Sequence, residues 1–135
     1  MKKLLLYGTL FIITALASCS EEGSEPQAPT DERDKFLGAW LCTEKLTGQN
    51  PTTFTIDISK VGEDSVKIKN FSNYNDLTFA YGEVNGNSLT IPQQNMGVTS
   101  IPVQGSGVYS SNAGGKITMT YVVDGVSATA TCVRP

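Results

Sequence analysis

From Phe36 onward, apolar residues recur at every second position. Phe54, Ile56 and Ile58 alternate with Thr55, Asp57 and Ser59, and Val66 and Ile68 alternate with Lys67 and Lys69. Each run reads as a strand with one face buried. The same alternation puts Leu77, Phe79 and Tyr81 on one face, and likewise Leu89 with Ile91, Ile117 with Met119 and Tyr121, and Val126 with Ala128, Ala130 and Cys132. Helical spacing does not appear in this part of the chain. Asn85-Gly86 and Asp124-Gly125, each between apolar strand residues, predict two-residue type I′ hairpins. Looser turns or loops are predicted at Gly62 to Asp64, Asn70 to Asp76, Pro92 to Gly97 and Ser111 to Gly115. Between these breaks lie eight or nine short strands, so residues 36–135 form an all-β domain of a size that supports one core.

The N-terminus follows another pattern. Met1-Lys2-Lys3 leads into an apolar run of 14 residues, Leu4 to Ala17, and then Leu16-Ala17-Ser18-Cys19. A basic start, an apolar middle and a small-residue cleavage site make residues 1–18 a signal peptide. The run is short of the roughly 20 residues that a helix needs to cross hydrocarbon, which disfavours a permanent span. Leu-Ala-Ser-Cys resembles the lipobox of bacterial lipoproteins. The resemblance implies that Cys19 carries acyl chains and becomes the first residue of the mature chain. Several chains hold a protein stably to a membrane, since each buried methylene contributes about 0.8 kcal/mol.

Residues 19–35 read as a flexible, acidic tether. Ser20 to Lys35 holds six acids, Pro26, Pro29 and no large apolar residue, so it cannot bury enough surface to offset the entropy of ordering. As a free coil it would reach about 20 to 25 Å. Ser20-Glu21-Glu22 resembles the acidic export signals of Bacteroidota surface lipoproteins, which implies an outer-membrane, surface-exposed location. Without Lys2 and Lys3 the chain keeps 8 basic and 13 acidic residues, a charge of 8 − 13 = −5. Nucleic acid is therefore not an expected partner.

With Cys19 lipidated, Cys42 and Cys132 are left, and in an exported domain their default state is a disulfide. Cys42 shares a strand face with Trp40 near the start of the domain, and Cys132 lies in the last strand. A disulfide draws Cα atoms to about 5.5 Å, which makes first and last strands neighbours. An antiparallel meander achieves this by closing into a barrel of about eight strands, with a β-sandwich as the alternative. Phe36-Leu37-Gly38-Ala39-Trp40 resembles the Gly-x-Trp lead-in to the first strand of lipocalins and related calycin barrels. Asn87-Ser88-Leu89-Thr90-Ile91-Pro92 with Gly105-Ser106-Gly107 resembles the small lipocalin-like lipoproteins of Bacteroidota. The resemblance implies a noncatalytic binding domain for a small apolar or glycan ligand or an envelope protein. The alternative is a protease-inhibitor-like or structural accessory protein acting through protein contacts.

Candidate chemistry is sparse. The chain has no histidine, which removes His-based triads and His metal sites, and no metal or cofactor is expected. Glu44, Asp57, Glu83 and Asp124 could include a carboxylate pair, but solvated surface charges are the stronger reading. Gly105-Ser106-Gly107 and Gly114-Gly115 precede no helix and read as turns or strand bends. Asn70, Ser72, Asn73, Asn75 and Asp76 miss the calcium-loop spacing and read as a polar loop. Asp64-Ser65-Val66 matches a Bacteroidota O-glycosylation motif, making Ser65 a candidate acceptor. Trp40, Phe79, Tyr81, Met119 and Tyr121 are the candidate ligand-lining residues, weighed against a core in which they simply pack. Ala128 and Ala130 on an inward face would leave room at one end.

Overall fold

The computed structural model describes residues 30–135. The signal peptide, Cys19 and residues 19–29 of the tether lie outside the described residues. Eight antiparallel strands, each paired with its neighbours in sequence, close into one barrel. They are β1 (Gly38–Leu46), β2 (Thr52–Val61), β3 (Ser65–Lys69), β4 (Phe79–Asn85), β5 (Ser88–Asn95), β6 (Pro102–Ser110), β7 (Lys116–Val123) and β8 (Val126–Val133). Closure comes from β1 against β8, in a register that sets Cys42 opposite Cys132, and these two form a disulfide. The barrel is the architecture expected over the sandwich, and closure leaves no edge strand open to other chains.

The period-two pattern becomes the inside and outside of the barrel. Trp40, Cys42, Ile56, Ile58, Val66, Ile68, Leu89, Ile91, Ile117 and Cys132 are all buried and belong to one cluster. Asp124-Gly125 forms its predicted turn, with both residues at positive φ (50° and 76°) between the paired Val123 and Val126. The other hairpin is displaced by one residue. Asn85 pairs with Ser88, so Gly86 and Asn87 are the turn residues, and only Gly86 takes positive φ. That is the pattern of a type II′ rather than a type I′ turn. The segment Pro92 to Gly97, expected as a loop, is mostly strand: β5 continues to Asn95 through a bulge between Ile91 and Gln94.

The largest departure concerns β4. Alternation predicts Phe79 and Tyr81 inside, yet β4 buries Ala80, Gly82 and Val84 and turns Phe79 and Tyr81 outward. Register with β3 decides the parity. Ala80 pairs with Ile68 and Gly82 with Val66, both inward, and directly paired residues in an antiparallel ladder share a face. The interior beside Gly82 is already taken, since a Cβ there would lie 2.5 Å from Leu89 Cδ1. Outside, Phe79 and Tyr81 pack edge to face at 5.2 Å, and the Lys67 ammonium lies 3.9 Å from the Phe79 ring centre. Beyond the paired residues Glu83 to Asn85, the Gln94 side chain bridges β5 to β4. Its Oε1 accepts from Tyr81 N at 2.9 Å, and its Nε2 donates to Tyr81 O at 2.8 Å. A side-chain amide thus takes the place of a peptide group where the bulge has broken the ladder.

The two glycines of β6 lie within the strand rather than in turns. Gly105 pairs with Tyr121 and Gly107 with Met119, leaving interior space to those two large side chains. A Cβ at Gly105 would fall 2.3 Å from Tyr121 Cβ and 2.6 Å from Thr120 O, whereas one at Gly107 would meet chiefly Met119 Cγ at 2.9 Å. Gly105→Ala forces backbone to move and should cost about 2 kcal/mol or more, while a flexible methionine can absorb much of Gly107→Ala. Chemical denaturation of both variants checks this; equal losses would show that the β6–β7 backbone is not the obstacle.

The barrel's contacts begin ahead of Phe36. Arg33 is buried, its guanidinium donating to Gly62 O at 2.8 Å and Ser65 O at 3.2 Å and pairing with Asp31 at 2.7 Å. Lys60 bridges Asp31 and Asp34 at 2.9 and 2.5 Å. The hydrogen bonds from Arg33 and Lys60 hold the Asp31 carboxyl well below the usual carboxylate range. A 3₁₀ turn, Asp34–Phe36, follows and inserts Phe36 fully into the core. Residues 31–35, expected as the last part of a free tether, are therefore fastened to the β2–β3 hairpin. Charge in this segment suggests solvation; Arg33 instead finds backbone carbonyls to satisfy its donors.

Candidate functional site

The two ends of the barrel differ. One end is stopped by the N-terminal segment. Trp40 Nε1 donates to Phe36 O at 2.7 Å, Tyr109 packs on both rings, and the Arg134 guanidinium lies 3.8 Å from the centre of the Trp40 ring. Every polar and aromatic feature of Trp40 is thus used in sealing this end, which removes it from a ligand-lining role.

The opposite end carries the β1–β2, β3–β4, β5–β6 and β7–β8 connections. Here β1 continues the inward face of Trp40 and Cys42 with Glu44, which is only 3% exposed. Its Oε1 accepts a hydrogen bond from Ser72 Oγ at 2.7 Å and a second, short one from Tyr121 Oη. Ala130 on β8 pairs with Glu44, and Ala128 pairs with both Leu46 on β1 and Tyr121 on β7. The room expected from these two alanines exists, and Glu44 and Tyr121 occupy it. Burial above all, and then the Glu44 carboxyl, push the Tyr121 phenol far above its ordinary pKa. Tyr121 therefore remains a hydrogen-bond donor at physiological pH and cannot serve as a base.

Ser72 reaches Glu44 from a 3₁₀ turn, Phe71–Asn73, that folds over this end of the barrel. Asn70, Ser72 and Asn73 all have positive φ (54°, 53° and 56°), a conformation that asparagine accepts readily and serine does not. The loop is held by Asn70 N donating to Thr78 O and by Phe71, buried with its ring centre 4.7 Å from that of Tyr121. Above Ser72 lies an open cavity of about 400 Å³, walled by Leu46, Gln49, Asn73, Tyr74, Val123 and Val126 and by the exposed carboxylate of Asp124. Among the described residues, lysine and arginine pair only with Asp31 and Asp34, so no cationic side chain stands against Glu44.

A larger cleft of about 730 Å³ lies at the plugged end, lined by Glu32, Glu63, Asp64, Ser65 and Glu83. Its carboxylates are exposed, and the described residues contain no acidic group arranged to hold a metal. Ser65 stands at its wall, half-buried at the start of β3. The mouth carries more chemistry, because a buried carboxyl changes the energy of whatever approaches it far more than solvated charges do.

The candidate ligand-lining residues are consequently dispersed. Tyr121 is at the mouth; Met119 lies one inward position deeper on β7 and is buried; Trp40 belongs to the plug; Phe79 and Tyr81 are on the outer surface. Glu44, whose charge favours a solvated reading, belongs to the site. Its position two residues beyond Cys42 on an alternating strand carries that information. Ser72 has no such signal, since its orientation depends on a loop conformation without periodicity. Asp57, Glu83 and Asp124 are exposed, as expected.

The sequence matches no protein-family description and no curated protein. Solved structures that superpose on it include two redesigned β-barrels. One, b11L5F_LGL, gives a TM-score of 0.60 at 12% identity, covering 78% of this chain and 96% of its own. The other, mFAP1 bound to DFHBI, gives 0.59 at 16% identity, covering 78% of this chain and all of its own. The likeness is one of fold. It supports a small eight-stranded antiparallel barrel and spans nearly the whole of both redesigned chains.

Proposed function

We propose that this protein is a noncatalytic, lipocalin-like binding barrel of the outer membrane, anchored through lipid on Cys19, and that its ligand enters at the end closed by Phe71–Asn73. The observation that carries the reading is the cavity above Ser72, with the buried Glu44 and Tyr121 beneath it. A barrel of this size that binds a small molecule has a precedent in mFAP1 with DFHBI. The N-terminal residues run along the β2–β3 hairpin at the plugged end, so an anchor on Cys19 would attach there and leave the mouth at the far end. Such an orientation suits a domain that takes a ligand from the surroundings rather than from its own membrane.

Two measurements test this reading. Radiolabelled palmitate should enter the wild-type protein and not Cys19→Ser, and the variant should leave the outer-membrane fraction. Native mass spectrometry of the envelope-purified protein should show a bound small molecule that is lost when Leu46→Trp fills the mouth. Labelling of both proteins alike would overturn the anchor, and an unchanged ligand in Leu46→Trp would overturn the site.

A further inference from the structure

We propose that Glu44 is the recognition group for a protonated primary amine, which takes the place of the Ser72 hydroxyl on Oε1 while its apolar part lies between Leu46, Tyr74, Val123 and Val126. The inference rests on the binding function proposed for this mouth and names the ligand class of that site.

Charge is the first ground. Glu44 is almost wholly enclosed, and only two neutral hydroxyls stand against it. An acid in such surroundings gains more from a cation than a solvated one does, because little water competes for it. The chain does not supply that cation among the described residues, and a ligand can.

The form of the cation follows from the acceptors. Both hydrogen bonds fall on Oε1, and Tyr121 is held there as a permanent donor. A guanidinium is recognised by two coplanar oxygens left free together, which this arrangement does not offer. A quaternary ammonium has no N–H to donate. A primary ammonium is compact and carries three donors, of which one replaces Ser72 on Glu44 Oε1, another can reach the lone pair of the Tyr121 hydroxyl, and the third is left for solvent. Leu46, Val123 and Val126, with Tyr74 exposed at the rim, offer the apolar part of the wall, while Gln49, Asn73 and Asp124 make the rest polar and add a second, solvated carboxylate that also favours a cation.

The loop provides the route. Ser72 lines the cavity and bonds Glu44 Oε1, so an amine takes this oxygen only if Ser72 withdraws. Ser72 and its neighbours Asn70 and Asn73 have left-handed backbones, and for serine that conformation is costly unless its surroundings hold it. Its hydrogen bond to Glu44 is one such hold. A ligand that replaces this bond lets the segment relax, so part of the cost of opening is returned on binding.

The test uses residues 30–135 with the disulfide intact, since the single core lies between Phe36 and Cys132 and comparable barrels stand as whole chains. Three probes sharing one phenethyl group are titrated by calorimetry and by NMR of the Ser72 and Tyr121 resonances: phenethylamine, 2-phenylethanol and 3-phenylpropionate. Phenethylamine should bind at least about tenfold more tightly than the alcohol, and the acid should not bind. Glu44→Gln retains an acceptor for Tyr121 and should lose about tenfold or more of the amine affinity. Ser72→Ala removes the competing hydroxyl and should tighten amine binding several-fold; if Glu44→Gln does not fold, this variant decides the matter alone. Binding of the alcohol or the acid at these resonances with no preference for the amine would overturn the amine inference and leave the binding site standing. Binding of none of the three to either wild type or Ser72→Ala would overturn both.

Discussion

Removing the Cys42–Cys132 disulfide, by the double variant Cys42→Ala/Cys132→Ala, should cost about 4 to 5 kcal/mol. The bridge spans 90 residues, nearly the whole barrel, so in the unfolded chain it suppresses almost all the conformational freedom that closing β1 on β8 must otherwise remove. In the chain-entropy description a loop of that length is worth about 4.6 kcal/mol. Small domains have only about 5 to 15 kcal/mol of net stability, so the variant should unfold at much lower denaturant or fail to fold near 37 °C. Both sulfurs are fully buried, so a reductant should act only as fast as the barrel opens. Guanidinium unfolding of wild type and variant measures the loss. A difference under about 1 kcal/mol would mean that β1 and β8 already associate in the unfolded chain.

Trp40→Ala should cost about 3 to 5 kcal/mol. The indole is fully buried, its N–H satisfies Phe36 O, and Arg134 and Tyr109 pack against it. Its removal leaves a cavity under the plug and orphans the carbonyl that ends the Asp34–Phe36 turn. The loss should therefore be accompanied by faster hydrogen exchange in residues 31–37, while amides around Asp124 and Gly125 at the other end change little. Trp40→Phe keeps most of the packing and forfeits the hydrogen bond, and should recover more than half of the loss. Unaltered exchange in residues 31–37 would show that the Arg33 and Asp31 contacts hold the plug without Trp40.

Parts of the site are legible in the sequence and parts are not. Glu44 lies on the same alternating strand as Trp40 and Cys42, and parity alone puts it inside. Its charge makes the solvated reading the stronger one, because buried acids without cations are rare. Tyr121 is legible through its apolar neighbours Ile117 and Met119. Ser72 is not, since it points inward only because three consecutive left-handed or turn conformations carry the loop back over the barrel. Phe79 and Tyr81 mislead for the opposite reason. Their hydrophobicity outweighs the parity of β4, which is set by pairing with β3 and not by β4's own composition.

Alternating hydrophobicity, turn residues and two cysteines determined the all-β class and the pairing of first and last strands, and favoured a closed barrel over a sandwich. These are local or covalent properties, and each can be read without knowing what lies across the core. Tertiary structure alone decided which face β4 buries, how residues 31–36 plug one end and how a polar loop delivers a serine to a buried acid at the other. Those outcomes depend on register and on space already filled by distant side chains: Leu89 beside Gly82, Tyr121 beside Gly105, Phe36 beneath Trp40. Interior volume is shared among all strands, so the fate of any one side chain is settled only when the rest are in place.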